Sequence, residues 1–276
     1  MKRKTYNLET QYLEGEPGKP LLVFVHGMCG GAWIWDNFVE YFSSEGFPCF
    51  ALSLRGHGGS GGAGLFRTHL HSFNDYVRDL EIALSGLSGR KPVLIGHSMG
   101  GAIIQRYIEL HPNDASGAVL LASVPRSERN ARRACKGKVI FRLLGSSNPA
   151  LSAFAVLGVR RIPGLMKSKC CNYLDADSAK KFAESMSRES LCAALQIAFG
   201  RIYREPKFGG QPPVLVAGGS LDYLFSSDEF KATAEYYGSE PVIFPDICHE
   251  MAIDPNWRAI VDAIRGFLDD IIDNKR

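Results

Sequence analysis

The sequence has no apolar run near the roughly 20 residues that a membrane-spanning helix requires. Its opening, Met1-Lys2-Arg3-Lys4 followed by Thr5-Tyr6-Asn7-Leu8-Glu9, lacks the apolar stretch of a secretory leader. A cytoplasmic protein without membrane insertion is expected. The seven cysteines, at 29, 49, 135, 170, 171, 192 and 248, are odd in number and never stand in the C-x-x-C spacing of a zinc or thioredoxin-like site. Buried or incidental thiols are expected. Also missing are a dinucleotide fingerprint, a P-loop and a cluster with metal-ligand spacing, and the glycine-rich stretch from Arg55 to Gly62 lacks the Lys and Ser/Thr that end a phosphate loop. Neither a cofactor nor a metal is implied, and no nucleic-acid partner is expected. There is no internal repeat and no low-complexity tract.

What is present is an ordinary globular composition, with 276 residues of which 45% are hydrophobic and 22% charged. That length suffices for one large core, or for a core with an inserted subdomain. The net charge of +3 hides a division: residues 126–210 hold 17 Lys and Arg against 6 Asp and Glu, which leaves 15 against 23 for the remainder.

Apolar runs recur at 21–25, 48–54, 92–95, 117–122, 213–217 and 241–244, all with β-branched members except 48–54, which Ser53 interrupts, the pattern of strands buried on both faces of a parallel sheet. Helix-like segments alternate with them. One runs over Trp33–Ser43, one starts at the capping pair Ser72 and Asp75, one follows Gly100, and one starts at Ser226 with Glu229 and ends at Gly238. A last helix opens with Asp254 as N-cap and Pro255 in its first turn, with Ile260, Ile264, Phe267 and Ile271 on its apolar face. The weakly strand-like 4–14 and the turn at 16–20 suggest a short edge hairpin. The alternation argues for an α/β fold, an open, mostly parallel sheet with helices on both faces and ligands at the carboxyl ends of its strands. It stops near Pro125 and resumes near Pro212. The division is therefore a core of 1–125 and 211–276 with an inserted helical cap at 126–210.

Chemistry concentrates at Gly96-His97-Ser98-Met99-Gly100, between a strand-like and a helix-like run. A serine on so tight a strand-to-helix turn exposes its hydroxyl, and small residues two before and two after relieve the crowding. Such a serine needs a base and a group that orients the base. His249 follows the last strand and Asp222 the penultimate one, so both fall on the edge where Ser98 is presented. Asp246 is the rival acid, more in keeping with a turn. His97 is expected to pack against the sheet, His111 to cap a helix, and His69 and His71 to lie on a surface loop. Donors for an oxyanion are the backbone N–H groups of Met99, at a helix start, and Met28, in a loop whose glycines, Gly27 among them, let the backbone approach a substrate.

With these residues assembled, the chain resembles the α/β-hydrolase superfamily over nearly its whole length. The resemblance is carried by His26-Gly27 with Gly30-Gly31-Ala32-Trp33, Arg55-Gly56-His57-Gly58, Gly96 to Gly101, Gly219 to Asp222, and His249. It implies the α/β-hydrolase fold with a cap. Members that are haloalkane dehalogenases or soluble epoxide hydrolases use an aspartate where Ser98 stands. Plant-type methyl esterases and hydroxynitrile lyases are similar around His26 to Trp35, but the lyases have lysine where Glu250 stands. The elbow also resembles that of monoacylglycerol lipases and lysophospholipases, whose loop after the equivalent of His26 differs.

The expectation is a serine hydrolase that cleaves a carboxylic ester, thioester or lipid ester through an acyl-enzyme on Ser98. A ligand receptor on the same scaffold is the alternative. Met28, Met99, Met166, Met186 and Phe199 are candidates to line an apolar pocket, with a cap-core role open for the last three. The run Arg126, Arg129, Arg132, Arg133, Lys136, Lys138 and Arg142 could meet an anionic substrate or a membrane surface, or be a solvated helix face.

Overall fold

The computed structural model describes residues 7–62, 64, 67–87, 91–126, 176–198, 200, 202–203 and 210–273. Its centre is a set of short strands in which almost every side chain is apolar and buried: β2 (Leu22–Val25), β3 (Cys49–Leu52), β4 (Val93–His97) and β5 (Gly117–Leu121). With β1 (Thr10–Leu13), β6 (Val214–Gly219) and β7 (Pro241–Phe244) they make a seven-stranded sheet in the order β1-β3-β2-β4-β5-β6-β7. All neighbouring pairs are parallel except β1 with β3. Burial on both faces explains why these strands read as unbroken apolar runs.

The flanking helices are α1 (Asp36–Ser44), α2 (Phe73–Ser85), α3 (Met99–Leu110), α6 (Ser227–Tyr237) and α7 (Trp257–Asp273). Two start where the sequence signals them. Ser72 with Asp75 and Ser226 with Glu229 each form a reciprocal capping box, satisfying N–H groups that a helix start leaves free. Gly238 ends α6 in the left-handed conformation, at φ 69°. The helix expected over Trp33–Ser43 is α1, Asp36–Ser44, preceded by a 3-10 turn over Ala32–Trp35. Asp254, expected as the N-cap of α7, stands three residues ahead of its first residue and accepts from the Asn256 N–H at 2.9 Å. Ile260, Ile264, Leu268 and Ile271 form the buried stripe of α7.

The expected edge hairpin does not form. β1 pairs antiparallel with β3, Thr10 opposite Leu52 through Leu13 opposite Cys49, because both edges of β2 are already taken by β3 and β4. The segment after β1 runs alongside the start of β3 instead of folding back, and the Glu16 N–H donates to the Gly46 carbonyl at 2.7 Å.

Within the span expected to be a helical insertion, α4 (Ala176–Ser185) and α5 (Leu191–Ala198) are helical. α5 packs on α2 and on the turn at Thr68–Leu70. Met166, Phe199 and the basic run from Arg129 to Arg142 lie outside the described residues. Arg126 does not face solvent. It is buried between the rings of Tyr203 and Tyr236, 4.7 and 4.4 Å from their centroids, and pairs with Glu109. Nor is His71 on the surface: it is buried under the segment that leads into α5, its carbonyl accepting from Ser190 Oγ at 2.5 Å. Among the described residues, no helix is long and apolar enough to cross a membrane.

Candidate active site

β4 ends at His97 and α3 begins at Met99, which leaves Ser98 alone on the turn at φ 52°, ψ −114°. A non-glycine residue there is strained, and it persists only where its surroundings over-determine it. They do so here. The Ser98 N–H donates to Leu121 at 2.9 Å, and its carbonyl accepts from Ala102 at 3.3 Å and Val124 at 3.2 Å. The flanking glycines are required by close approach. A β-carbon on Gly100 would lie 2.1 Å from the Val25 carbonyl oxygen, and one on Gly96 would lie 2.7 Å from the Gly100 backbone.

Asp222 follows β6 by three residues. Its Oδ1 accepts from the N–H groups of Leu224 at 2.7 Å and Phe225 at 3.0 Å, which aims Oδ2 at His249 Nδ1, 2.8 Å away. A carboxylate can only accept, so Nδ1 carries the proton, and Nε2, 3.0 Å from Ser98 Oγ, is free to accept one. Burial disfavours the charged ring, but the Asp222 charge and hydrogen bond outweigh it and raise the His249 pKa above its ordinary value. The rival Asp246 is exposed at φ 57° on the turn after β7, its N–H bonded to Ser220 Oγ.

Two further histidines frame this arrangement. His97 is buried with its Nε2 2.8 Å from the His249 carbonyl, to which it donates, and burial first, then the nearby His249, depresses its pKa to about 3. His26 is also neutral, its pKa lowered to about 3 chiefly by burial. Its Nδ1 donates to the Gly27 carbonyl at 2.7 Å, while its Nε2 accepts from the Leu54 N–H at 3.0 Å. The Gly27 carbonyl and the Met28 N–H belong to one planar peptide unit, so this bond orients the Met28 N–H. That unit lies beside the serine, for a β-carbon on Gly27 would sit 3.1 Å from Ser98 Cβ. The Met99 N–H is the first of α3, where the helix dipole also favours negative charge.

The loop carrying Met28 is held from the segment between α4 and α5. Glu189, buried just ahead of α5, accepts from the Cys29 N–H at 3.0 Å, from His57 Nε2 at 3.2 Å and from the Tyr76 hydroxyl at 2.7 Å. His57 Nδ1 meets the Arg55 carbonyl at 3.1 Å, so both ring nitrogens donate and the ring is an imidazolium. Burial works against both charges, yet the pair holds Glu189 down at about 2 and raises His57. Sequence reading assigned neither residue a role in the site, since Glu189 is 132 positions from His57 and no local pattern joins them.

Aromatic side chains stand beside His249. The Phe225 and Tyr223 rings lie 5.6 and 6.5 Å from the imidazole. Phe182 of α4 packs against Trp33, Met186, Tyr223 and Ile253. Met186 thus belongs to the cluster that joins α4 to Trp33, Tyr223 and Ile253. His97, His249 and Glu250 each offer a ligand atom, all within 4.8 Å of one another. His249 already commits both nitrogens to Asp222 and Ser98, which leaves one imidazole and one carboxylate, too few for a metal centre.

Comparison with known proteins agrees with this architecture. The chain is 23% identical over 267 residues to a monoacylglycerol lipase of Mycolicibacterium smegmatis, covering 90% of this chain and 87% of that one. It is 33% identical over 102 residues to methyl jasmonate esterase 1 of Vitis vinifera, covering 37% of this chain and 38% of that one. The solved monoacylglycerol lipase of Paleococcus ferrophilus superposes with a TM-score of 0.67 at 22% identity, over 97% of this chain and 99% of that one. A family model described as alpha/beta hydrolase fold matches residues 20–255, and the chain belongs to the alpha/beta-hydrolase family.

Proposed function

We propose that the protein is a serine hydrolase of carboxylic esters, including thioesters and lipid esters. The observation that carries this reading is the hydrogen-bonded line from Asp222 through His249 to a serine held at φ 52°. Ser98 Oγ attacks the acyl carbon while His249 Nε2 takes its proton, and Asp222 stabilises the imidazolium that forms. Negative charge develops on the carbonyl oxygen, where the N–H groups of Met28 and Met99 receive it. His249 returns the proton to the leaving alcohol or thiol, leaving the acyl group on Ser98. Water, deprotonated by the same nitrogen, then releases the acid.

The aromatic side chains beside His249 support a substrate with an uncharged, apolar portion next to the scissile bond. Relatives named as a monoacylglycerol lipase and a methyl jasmonate esterase support ester chemistry, though their substrates differ too much to select one for this chain. A chain-length series of chromogenic esters and thioesters, assayed on the parent protein and Ser98→Ala, tests the proposal. The parent is expected to turn over part of the series, with Ser98→Ala reduced by about 10³-fold or more. Equal activity in the two proteins would overturn it.

A further inference from the structure

Cys29, the residue after the proposed oxyanion donor Met28, adopts φ 61° without being glycine. Such a residue relaxes unless it is held, and both of its backbone polar groups are held by residues of the segment between α4 and α5. Its N–H donates to Glu189 Oε2 at 3.0 Å, and its carbonyl accepts from the Ser187 N–H at 2.8 Å. The Ser187 hydroxyl also accepts from the Gly58 N–H at 2.9 Å. Tyr76 and His57 of the core and the adjacent Ser190 secure the carboxylate itself, for Tyr76 and the Ser190 N–H both donate to Oε1 at 2.7 Å and His57 donates to Oε2.

We infer that Glu189 is a positioning residue for ester hydrolysis: from the segment between α4 and α5 it fixes the Cys29 peptide and so holds the Met28 N–H toward the oxyanion formed at Ser98. Two consecutive peptide units are then clamped. His26 fixes the Gly27–Met28 unit through the Gly27 carbonyl, and Glu189 fixes the Met28–Cys29 unit through the Cys29 N–H. With either clamp missing, the Met28 backbone is free to rotate and its N–H loses its aim. The seating of the segment between α4 and α5 on the core thereby becomes a condition of transition-state stabilisation. The serine-hydrolase reading above is the basis of this inference.

A trifluoromethyl ketone that adds to Ser98 reads the oxyanion site directly, because its adduct carries the negative oxygen. In Glu189→Ala, kcat is expected to fall about 10- to 100-fold with KM within about 3-fold, and the Ki of the ketone to rise by the same factor as kcat falls. Ile271→Ala removes a buried side chain that packs at the start of β5, at the opposite end of that strand from Ser98, so it is expected to lower Tm while leaving kcat and Ki within about 3-fold of the parent. Glu189→Gln retains one acceptor oxygen, is expected to fall between the parent and Glu189→Ala in both readouts, and carries the comparison should Glu189→Ala not fold. A folded Glu189→Ala or Glu189→Gln that binds the ketone as tightly as the parent overturns the positioning role, as does an Ile271→Ala with the same kinetic loss. A parent that forms no ketone adduct and hydrolyses no ester instead overturns the serine-hydrolase reading itself.

Discussion

His97 Nε2 lies 2.8 Å from the carbonyl oxygen of His249, so the residue preceding the strained serine holds the backbone of the residue proposed as its base. β4 and the loop after β7 are thereby tied together at the point where Ser98 and His249 must meet. His97→Ala removes that tie and opens space beside Gly27, whose β-carbon position is 2.8 Å from the His97 ring nitrogen. A misplacement of about 1 Å costs roughly 100-fold in rate, so kcat is expected to fall by about 10- to 100-fold. Steady-state kinetics against a chromogenic ester checks this, and an unchanged kcat would show that the base is placed without the bond.

The pH profile follows from the raised pKa of His249. The base must be neutral to take the serine proton, so kcat/KM falls as pH drops through that pKa. The acid limb is expected above 6.5, the ordinary histidine value. In Asp222→Asn the charge that raises the pKa is gone and burial, which lowers it, remains, so the limb moves to lower pH. The plateau rate is expected to fall by about 10⁴-fold, as is usual when the orienting acid of such a triad is replaced. A limb that stays in place in Asp222→Asn would contradict the pairing.

Two glycine substitutions separate close packing from open space. Gly100→Ala places a methyl group against the Val25 and His26 carbonyl oxygens, backbone atoms that cannot yield. Overpacking of this kind costs about 1–3 kcal/mol, and Tm is expected to fall by about 2–4 °C for each kcal/mol. Gly266 lies on the exposed side of α7 with nothing near its β-carbon position. Gly266→Ala is expected to stabilise the fold by about 0.5–1 kcal/mol. Thermal denaturation of both variants checks the opposite signs.

Much of this arrangement was readable because the fold places chemistry by strand order. Buried parallel strands announce themselves as apolar runs, and the residue just past each run lies at one edge of the sheet. Ser98, Asp222 and His249 are each within a few positions of a strand end, and the structure sets them within hydrogen-bonding distance of one another. Pairing with no local trace was not readable. β1 is next to β2 in sequence but bonds to β3, and Arg126, the head of a basic run, is buried between two tyrosines. Glu189 and His57 are an acid and a histidine like any others until the chain brings them together in a buried site.

The most direct measurement is covalent labelling with a fluorophosphonate, read by intact mass and peptide mapping. One label per chain on Ser98 is predicted, accumulating in step with the loss of ester hydrolysis, with no label and no hydrolysis in Ser98→Ala. An unlabelled parent that binds an ester tightly and leaves it intact, or a Ser98→Ala protein that still hydrolyses it, would contradict the account.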